Sequence, residues 1–160
     1  MMSLNTVNLT MLSPSLEILG AKFDTQDARR MLLAIGLQES GFATMVQYGG
    51  GPAHSYWQFE RGGGVKGVLN HPASAKYATA LCKVRSVGCT PMEVWTAMAT
   101  DPILGAGMAR LLLWTDAHPM PTSAADGWNY YNRNWRPGKP HPDKFPACWK
   151  AASECLGMTV

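Results

Sequence analysis

The chain has 160 residues, of which 46% are hydrophobic and only 16% are charged. This length suits one domain with a substantial core, and the composition is not that of a disordered chain. The formal net charge is +3, but the basic residues are scattered rather than clustered, so nucleic acid is not expected as a partner.

The N-terminal residues, MMSLNTVNLTMLSPSL, lack both a basic region and an uninterrupted apolar stretch, so no signal peptide is predicted. No apolar stretch of the sequence is long enough to cross a bilayer, so membrane insertion is not expected either. Residues 1–13 are predicted to be a peripheral segment of a single domain that spans residues 1–160.

The first strongly predicted helix has a clear start. Asp24 or Thr25 can cap a helix that runs to about Glu39. The pattern then changes over residues 41–67, where two glycine runs enclose the short aromatic segment HSYWQFE. Glycine-rich borders of this kind are typical of turns, so this stretch is predicted to be a small irregular or β insertion.

The later segments start helices by similar signals. These are Thr90-Pro91-Met92-Glu93, which is a capping box, Asp101-Pro102, Ser123, and Pro142-Asp143, which begins a last helix through about Cys155. The sequence therefore predicts a mainly α-helical domain that carries one small insertion.

Four cysteines occur as two pairs, Cys82/Cys89 and Cys148/Cys155, with six residues between the members of each pair. A zinc knuckle has closer pairs, so no metal site is predicted. Cys82 and Cys89 could form a disulfide across a loop, but free and mostly buried thiols are the favoured interpretation.

The first helix carries an apolar stripe that ends in a carboxylate. Its members at helical spacing are Ala28, Met31, Leu32, Ile35 and Glu39. Partial burial and the carbonyl groups of a helix end both raise the pKa of a glutamate. A carboxyl group that is protonated near neutral pH can donate a proton to a departing sugar oxygen. The alternative is a solvated glutamate without a catalytic role.

Three motifs occur in an order that is informative. Gln38-Glu39-Ser40-Gly41-Phe42 ends the helix, Gly51-Pro52-Ala53-His54-Ser55-Tyr56-Trp57-Gln58-Phe59 follows, and Asn129-Tyr130-Tyr131-Asn132 lies far downstream. This order resembles the lytic transglycosylases of the soluble, goose-lysozyme-like superfamily. The resemblance covers roughly residues 25–137 and implies a lysozyme-like, transglycosylase-type helical fold.

The resemblance also implies roles for individual residues. Glu39 would be the catalytic acid and then base, and Ser40 would position substrate or the glutamate. Gln58 would line the sugar subsites, Tyr131 would orient the carboxylate, and Asn132 would support substrate binding or structure. The implied reaction cleaves the bond from N-acetylmuramic acid to N-acetylglucosamine in peptidoglycan and leaves 1,6-anhydro ends, with no metal or organic cofactor.

The sequence departs from the family pattern at two places. Tyr56 and Trp57 stand where the family has glycine and a small aliphatic residue, and their rings could stack on sugars or narrow the cleft. Arg133-Asn134 replaces a small residue and glycine. The tail NWRPGKPHPDKF resembles that of phage-encoded members, which implies a virion component or lysis enzyme acting on the cell wall in the host periplasm, with other virion proteins as possible partners.

Aromatic residues offer stacking platforms for sugars. Trp95 and Trp114 fall on apolar helix faces and are predicted to be core residues, whereas Trp57, Trp128 and Trp135 could reach the cleft.

Two other functions stay open. Glu60 could act as a second acid that activates water, which would make the protein a hydrolysing muramidase; the favoured alternative is an exposed glutamate paired with Arg61. A protein of a different class would keep the fold without catalysis, as a glycan-binding or structural virion domain.

Overall fold

The computed structural model describes residues 2–160, which form a mainly helical structure with one two-stranded sheet. The prediction of a mainly α-helical protein is confirmed. The helices are α1 (Leu4–Val7), α2 (Ser13–Leu19), α3 (Gln26–Glu39), α4 (Lys66–Asn70), α5 (Ala75–Val84), α6 (Pro91–Met98), α7 (Pro102–Trp114), α8 (Ala124–Trp135) and α9 (Phe145–Cys155). The strands are β1 (Ala53–His54) and β2 (Phe59–Glu60). Among residues 2–160, no helix combines the length and the apolar character that a membrane crossing requires.

The N-terminal segment belongs to the core. α1 continues through a π-helical turn at Asn8–Leu12 into α2. Val7 and Leu12 are completely buried, and this segment contacts α3, α7 and α9. The prediction that residues 1–13 are peripheral is therefore wrong for its described residues, because their apolar side chains pack into the body of the protein. Met1 lies outside the described residues.

α3 begins where the sequence predicts. The Thr25 hydroxyl accepts a hydrogen bond of 3.1 Å from the Ala28 N–H, so Thr25 is the cap, whereas Asp24 forms an ion pair with Arg29. The middle of the helix, residues 31–35, is completely buried. α3 packs more extensively against α9 than against any other helix, so a helix from the far end of the chain covers the one that ends in the candidate site.

The predicted insertion contains a short hairpin. β1 and β2 are antiparallel, with Ala53 opposite Glu60 and His54 opposite Phe59. The prediction of an irregular or β insertion agrees with the structure up to β2. The residues that follow, Arg61–Val65, form a π-helical turn that non-helical backbone at Gly63 interrupts, and α4 then begins at Lys66, so the insertion ends close to the predicted boundary.

The central helices have the predicted starts. Thr90 caps α6 by accepting a hydrogen bond of 3.3 Å from the Glu93 N–H, and the Asp101 carboxylate accepts from two N–H groups in the first turn of α7. A side chain at Gly107 would bring its Cβ within 2.5 Å of Leu81 Cδ2. Glycine at this position therefore permits the close contact between α5 and α7.

The last two helices differ in how well their starts are predicted. Ser123 caps α8 as expected, through a hydrogen bond of 3.2 Å from the Asp126 N–H. α9 begins at Phe145 rather than at Pro142-Asp143, because the preceding residues form a turn closed by a hydrogen bond from the Lys144 N–H to the His141 carbonyl.

The four cysteines, Cys82, Cys89, Cys148 and Cys155, are free thiols in the structure. Cys89 is exposed, whereas Cys82 is buried, and burial raises the pKa of Cys82 to about 12. The alternative of a Cys82–Cys89 disulfide is therefore not the arrangement that the structure adopts.

Candidate active site

The chain turns sharply away from α3 directly after Glu39. Gly41 and Phe42 both have left-handed backbone conformations, with φ of +62° and +55°. The turn brings the Phe42 ring back onto the last part of α3, where it contacts Gly36. A Cβ atom at Gly36 would lie 2.1 Å from Phe42 Cζ, so this arrangement requires glycine at position 36. The tight turn leaves the Glu39 side chain at the edge of the core, only partly buried.

Tyr131 in α8 contacts the Glu39 carboxylate. Its hydroxyl donates a hydrogen bond to Glu39, with 2.6 Å between Tyr131 Oη and Glu39 Oε1. The Tyr131 ring is buried and stacks against Phe145 and Trp135, at ring-centre distances of 5.7 and 6.2 Å. These contacts fix the hydroxyl. The structure thus brings together two residues that the family resemblance paired, and their catalytic role stays a prediction.

The surroundings of Glu39 favour its protonated form. Burial raises the pKa of Glu39, and although the Tyr131 hydrogen bond and the positive charge of Lys144 both lower it, the net direction is upward. Burial also raises the pKa of Tyr131, which keeps its hydroxyl protonated as a donor. Lys144 Nζ itself donates to the Gln38 carbonyl at 3.0 Å, so a cation lies at the end of α3.

Ser40 connects the end of α3 to the hairpin. Its hydroxyl donates a hydrogen bond of 2.7 Å to the Tyr56 carbonyl and accepts one of 3.1 Å from the Phe42 N–H. Ser40 therefore holds the hairpin turn against the helix end rather than bonding to the Glu39 carboxylate.

The turn between β1 and β2 has two residues in the left-handed region, Ser55 and Gln58, with φ of +71° and +53°. The Gln58 side-chain amide donates a hydrogen bond of 2.9 Å to the Ser55 carbonyl, which stabilises this conformation. Gln58 and Glu39 line the same cleft. The structure therefore places the predicted subsite glutamine in the same cleft as the candidate acid.

The rings of Tyr56 and Trp57 face the core and do not line the cleft. Trp57 is completely buried, and its indole N–H donates a hydrogen bond of 2.8 Å to the Leu32 carbonyl. Tyr56 is 8% exposed and packs against Phe42. The prediction that these two rings contact substrate is therefore wrong, because the left-handed turn directs both of them beneath the end of α3.

The cleft beside Glu39 has a volume of about 630 Å³. Its side-chain lining is mainly polar. Among its lining residues are Glu39, Gln47, Gln58, Glu60, Trp135, Arg136 and Lys139, together with the glycine run at 62–64. Trp135 supplies the large aromatic surface that was predicted to reach the cleft, and its indole N–H is anchored to the Trp57 carbonyl at 2.9 Å. Trp128 does not line the cleft, because it packs against Tyr131 and Phe145.

Glu60 is exposed and lines the same cleft as Glu39. The predicted ion pair between Glu60 and Arg61 is absent: the Arg61 guanidinium instead contacts the Met92 sulfur at 3.7 Å. Among residues 2–160, no basic side chain forms an ion pair with Glu60. Two carboxylates therefore border one cleft.

Asn132 is exposed on α8 and does not line the cleft, so a role in substrate binding stays a prediction. Sequence reasoning missed Lys144, Arg136 and Lys139. The first lies next to Glu39, and the other two border the cleft. These three residues share only their position in the segment between α8 and the start of α9, and their spacing gave no information about distance to Glu39.

The chain matches no protein-family model, and neither the curated proteins nor the solved structures include one that is significantly similar to it. Among residues 2–160, no group of three or more His, Cys, Asp or Glu side chains is arranged to hold a metal ion.

Proposed function

We propose that the protein is a peptidoglycan-cleaving lytic transglycosylase with a lysozyme-like fold, in which Glu39 acts first as a general acid and then as a general base. The observation that carries the proposal is the hydrogen bond of 2.6 Å from Tyr131 to a partly buried glutamate at the edge of a cleft of about 630 Å³. A carboxyl group with a raised pKa and a fixed orientation is suited to proton transfer to a sugar oxygen.

In the first step, protonated Glu39 donates its proton to the glycosidic oxygen as the bond from muramic acid C1 to that oxygen breaks. The oxygen leaves as the hydroxyl group of N-acetylglucosamine. The acetamido oxygen of the muramic acid residue stabilises the cationic C1. Tyr131 holds the carboxylate that remains on Glu39 by a charge-assisted hydrogen bond.

In the second step, the Glu39 carboxylate removes the proton from the C6 hydroxyl of the same muramic acid residue. The C6 oxygen bonds to C1, which closes the 1,6-anhydro ring and returns Glu39 to its protonated form. One protein carboxylate suffices because the substrate supplies both nucleophilic oxygens.

Other residues of the cleft have roles suited to binding a glycan strand. Trp135 offers an aromatic face for a sugar ring, and the side chains of Gln47 and Gln58 offer hydrogen-bonding groups. Peptidoglycan in the host periplasm is the proposed place of action, which the protein would reach as a virion component or lysis enzyme.

A second candidate function is favoured by one observation, which is that Glu60 lines the same cleft as Glu39 and forms no ion pair with any residue in 2–160. A second carboxylate across a cleft can activate water, and the protein would then be a hydrolysing muramidase. The two mechanisms use the same acid but give products that differ in mass by one water.

The test is mass spectrometry of the soluble products after digestion of purified peptidoglycan. We expect anhydro-muramic ends from the wild-type protein and a loss of activity of about 10²–10⁴-fold in Glu39→Gln, because the amide cannot donate or accept the required proton. Glu17→Gln, which removes an exposed carboxylate on α2, is the matched control and should keep full activity.

Products heavier by one water would favour hydrolysis and predict that Glu60→Gln is also inactive. Wild-type cleavage by Glu39→Gln would show that Glu39 is not the acid. A folded wild-type protein that binds glycan strands and releases no product from several peptidoglycan sources would favour a non-catalytic binding or structural domain.

A further inference from the structure

A second cavity lies outside the cleft described above. It has a volume of about 300 Å³ and is formed by the C-terminal half of α7, the segment that follows it, and α8. Its lining residues are Arg110, Leu113, Trp114, Asp116, Ala117, His118, Met120 and Tyr130. The proposed glycan chemistry uses none of them.

Arg110 is the unusual member of this lining because its charge is buried without a full set of partners. The residue is only 3% exposed. Its Nε donates a hydrogen bond of 2.8 Å to the Phe23 carbonyl, but Nη1 is buried and has no acceptor. Within residues 2–160, no protein atom accepts a hydrogen bond from either terminal nitrogen of this side chain. Burial lowers the pKa of Arg110 to about 10.

Another buried arginine in the chain has acceptors at both of its terminal nitrogens, although its Nε is buried without a partner. Arg30 is also 3% exposed, yet its terminal nitrogens donate to the Thr159 carbonyl and the Asp27 carboxylate, at 3.2 and 2.9 Å. Buried guanidinium groups require acceptors of this kind because burying an unpaired charge is costly. Arg110 lacks them at its terminal nitrogens.

The carboxylates near Arg110 are already engaged by other donors. Asp116 borders the cavity but accepts hydrogen bonds from Arg133 Nε and Asn134 Nδ2, at 2.8 and 2.7 Å, and from the His118 N–H and ring. Asp24 is held by Arg29. Neither of these two carboxylates is therefore free to pair with Arg110, and an acceptor from outside the chain would supply the missing partner.

The other residues that line the cavity indicate what kind of molecule would supply the acceptor. Trp114, Leu113 and Met120 are apolar, and the Arg110 guanidinium lies 5.4 Å from the centre of the Trp114 ring. We propose that this cavity is a binding site for a small organic carboxylate with a short apolar body, whose carboxylate pairs with Arg110 and whose body packs against Trp114. A planar guanidinium beside an aromatic wall is suited to both contacts. The proposal is independent of the glycan-cleaving reaction.

The test is an NMR titration of the ¹⁵N-labelled full chain with phenylacetate. We expect saturable shifts centred on residues 113–120, and an affinity about 10- to 100-fold higher than for phenylacetamide, because the amide lacks the charge. Acetate should bind more weakly than phenylacetate, because it lacks the apolar body. Equal affinity for the acid and the amide, equal affinity for acetate, or no saturable shift would overturn the proposal and leave an ordered water as the partner of Arg110.

Arg110→Met tests the residue directly. The substitution replaces a buried charge with an apolar side chain that fits a similar space, so the protein should stay folded while losing phenylacetate binding. Arg61→Met, at an exposed position, is the control and should bind as the wild type does. Met120→Trp provides a second variant that fills the cavity and leaves Arg110 in place; it should also lose binding. Unchanged affinity in Met120→Trp, or in a folded Arg110→Met protein, would contradict the assignment.

Discussion

Glu39 is subject to opposing influences on its charge. Burial raises its pKa, whereas the Tyr131 hydrogen bond and the Lys144 charge lower it, and burial is the largest of the three. The hydrogen bond therefore has two separable effects: it orients the carboxylate, and it limits how far the pKa is raised. These effects can be measured separately because one changes a rate and the other changes a pH profile.

Tyr131→Phe should change both the rate of the reaction and its pH profile. Turnover on peptidoglycan should fall by about 10-fold or more, because the carboxylate loses its orienting donor. Since that donor lowers the pKa of Glu39, its removal should raise this pKa further and move the high-pH decline of kcat/KM to higher pH. A pH–rate profile of both proteins checks this. An unchanged position of the high-pH decline would mean that Tyr131 does not act on the carboxylate.

The raised pKa of Glu39 should also change how the stability of the protein depends on pH, whether or not Glu39 is catalytic. A glutamate with a pKa that is raised on folding stabilises the folded state fully below its unfolded pKa, near the reference value of 4.5, and loses this contribution as the pH rises through its folded pKa. Glu39→Gln removes that titration. The free energy of unfolding of the variant should therefore increase relative to that of the wild type as the pH rises from the unfolded to the folded pKa of Glu39. Above the folded pKa, the difference between the two proteins should stay constant.

Urea denaturation at a series of pH values measures this difference. Glu17→Gln controls for the loss of one negative charge at an exposed position. A difference between Glu39→Gln and the wild type that is constant from below pH 4.5 to neutral pH would contradict the raised pKa of Glu39.

At the scale of single elements, the end of α3 depends on one contact between a glycine and an aromatic ring. The Phe42 ring packs on Gly36, and Phe42 in turn packs against Tyr56 and Trp57 of the hairpin turn. The position of Glu39 relative to the cleft is therefore set by packing beneath the helix end as well as by the helix itself.

Gly36→Ala should destabilise the protein by about 1–3 kcal/mol, because the new methyl group overlaps the Phe42 ring and forces it to move. Gly67→Ala is the matched control: a Cβ there meets nothing within 4 Å, so alanine should be neutral or stabilise α4 by up to about 1 kcal/mol. Free energies of unfolding from urea titrations compare the two. Equal effects of the two substitutions would show that Phe42 does not pack as described.

The elements also show where sequence reasoning succeeds and where it stops. The ends of α3, the capping of α6 and α8, and the small insertion follow from local signals, since a cap is defined by residues three positions apart. The inward rings of Tyr56 and Trp57 do not follow, because Ser55 and Gln58 adopt left-handed conformations that their residue types disfavour. Periodicity alone gave no reason to expect that turn.

At the scale of the whole molecule, the site is assembled from distant parts of the chain. Glu39 and Tyr131 are 92 residues apart, and the Lys144–Gln38 contact joins residues separated by 106. The Glu39–Tyr131 contact was expected only from the family resemblance. The Lys144–Gln38 contact was not predicted at all, because neither periodicity nor capping encodes contacts between residues so far apart in the chain. The cleft that Glu39 lines could not be predicted from composition for the same reason.

Phe145 connects the distant parts of the site. It is completely buried at the start of α9, and its ring contacts Tyr131, Trp128 and Trp149. Phe145→Ala should cost about 3–5 kcal/mol of unfolding free energy, because it leaves a cavity beneath Tyr131. Val84→Ala removes an exposed apolar side chain and should change stability by about 0.5 kcal/mol or less. Chemical denaturation measures the free energy of unfolding of both variants. If Phe145→Ala lowers it by less than about 1 kcal/mol, the packing of Phe145 does not hold the site together as described.

The packing of α3 against α9 has a consequence for how the protein is made. A ribosome produces α3 and the hairpin early, while α8 and α9 are still to be translated, so the side of α3 that packs against α9 is uncovered during that interval. The nascent chain must therefore keep this face from aggregating, by chaperone binding or by transient local contacts. Glu39 in such a chain lacks Tyr131, Lys144 and the Trp135 side of the cleft. The surroundings of Glu39 are accordingly complete only when α8 and α9 have docked.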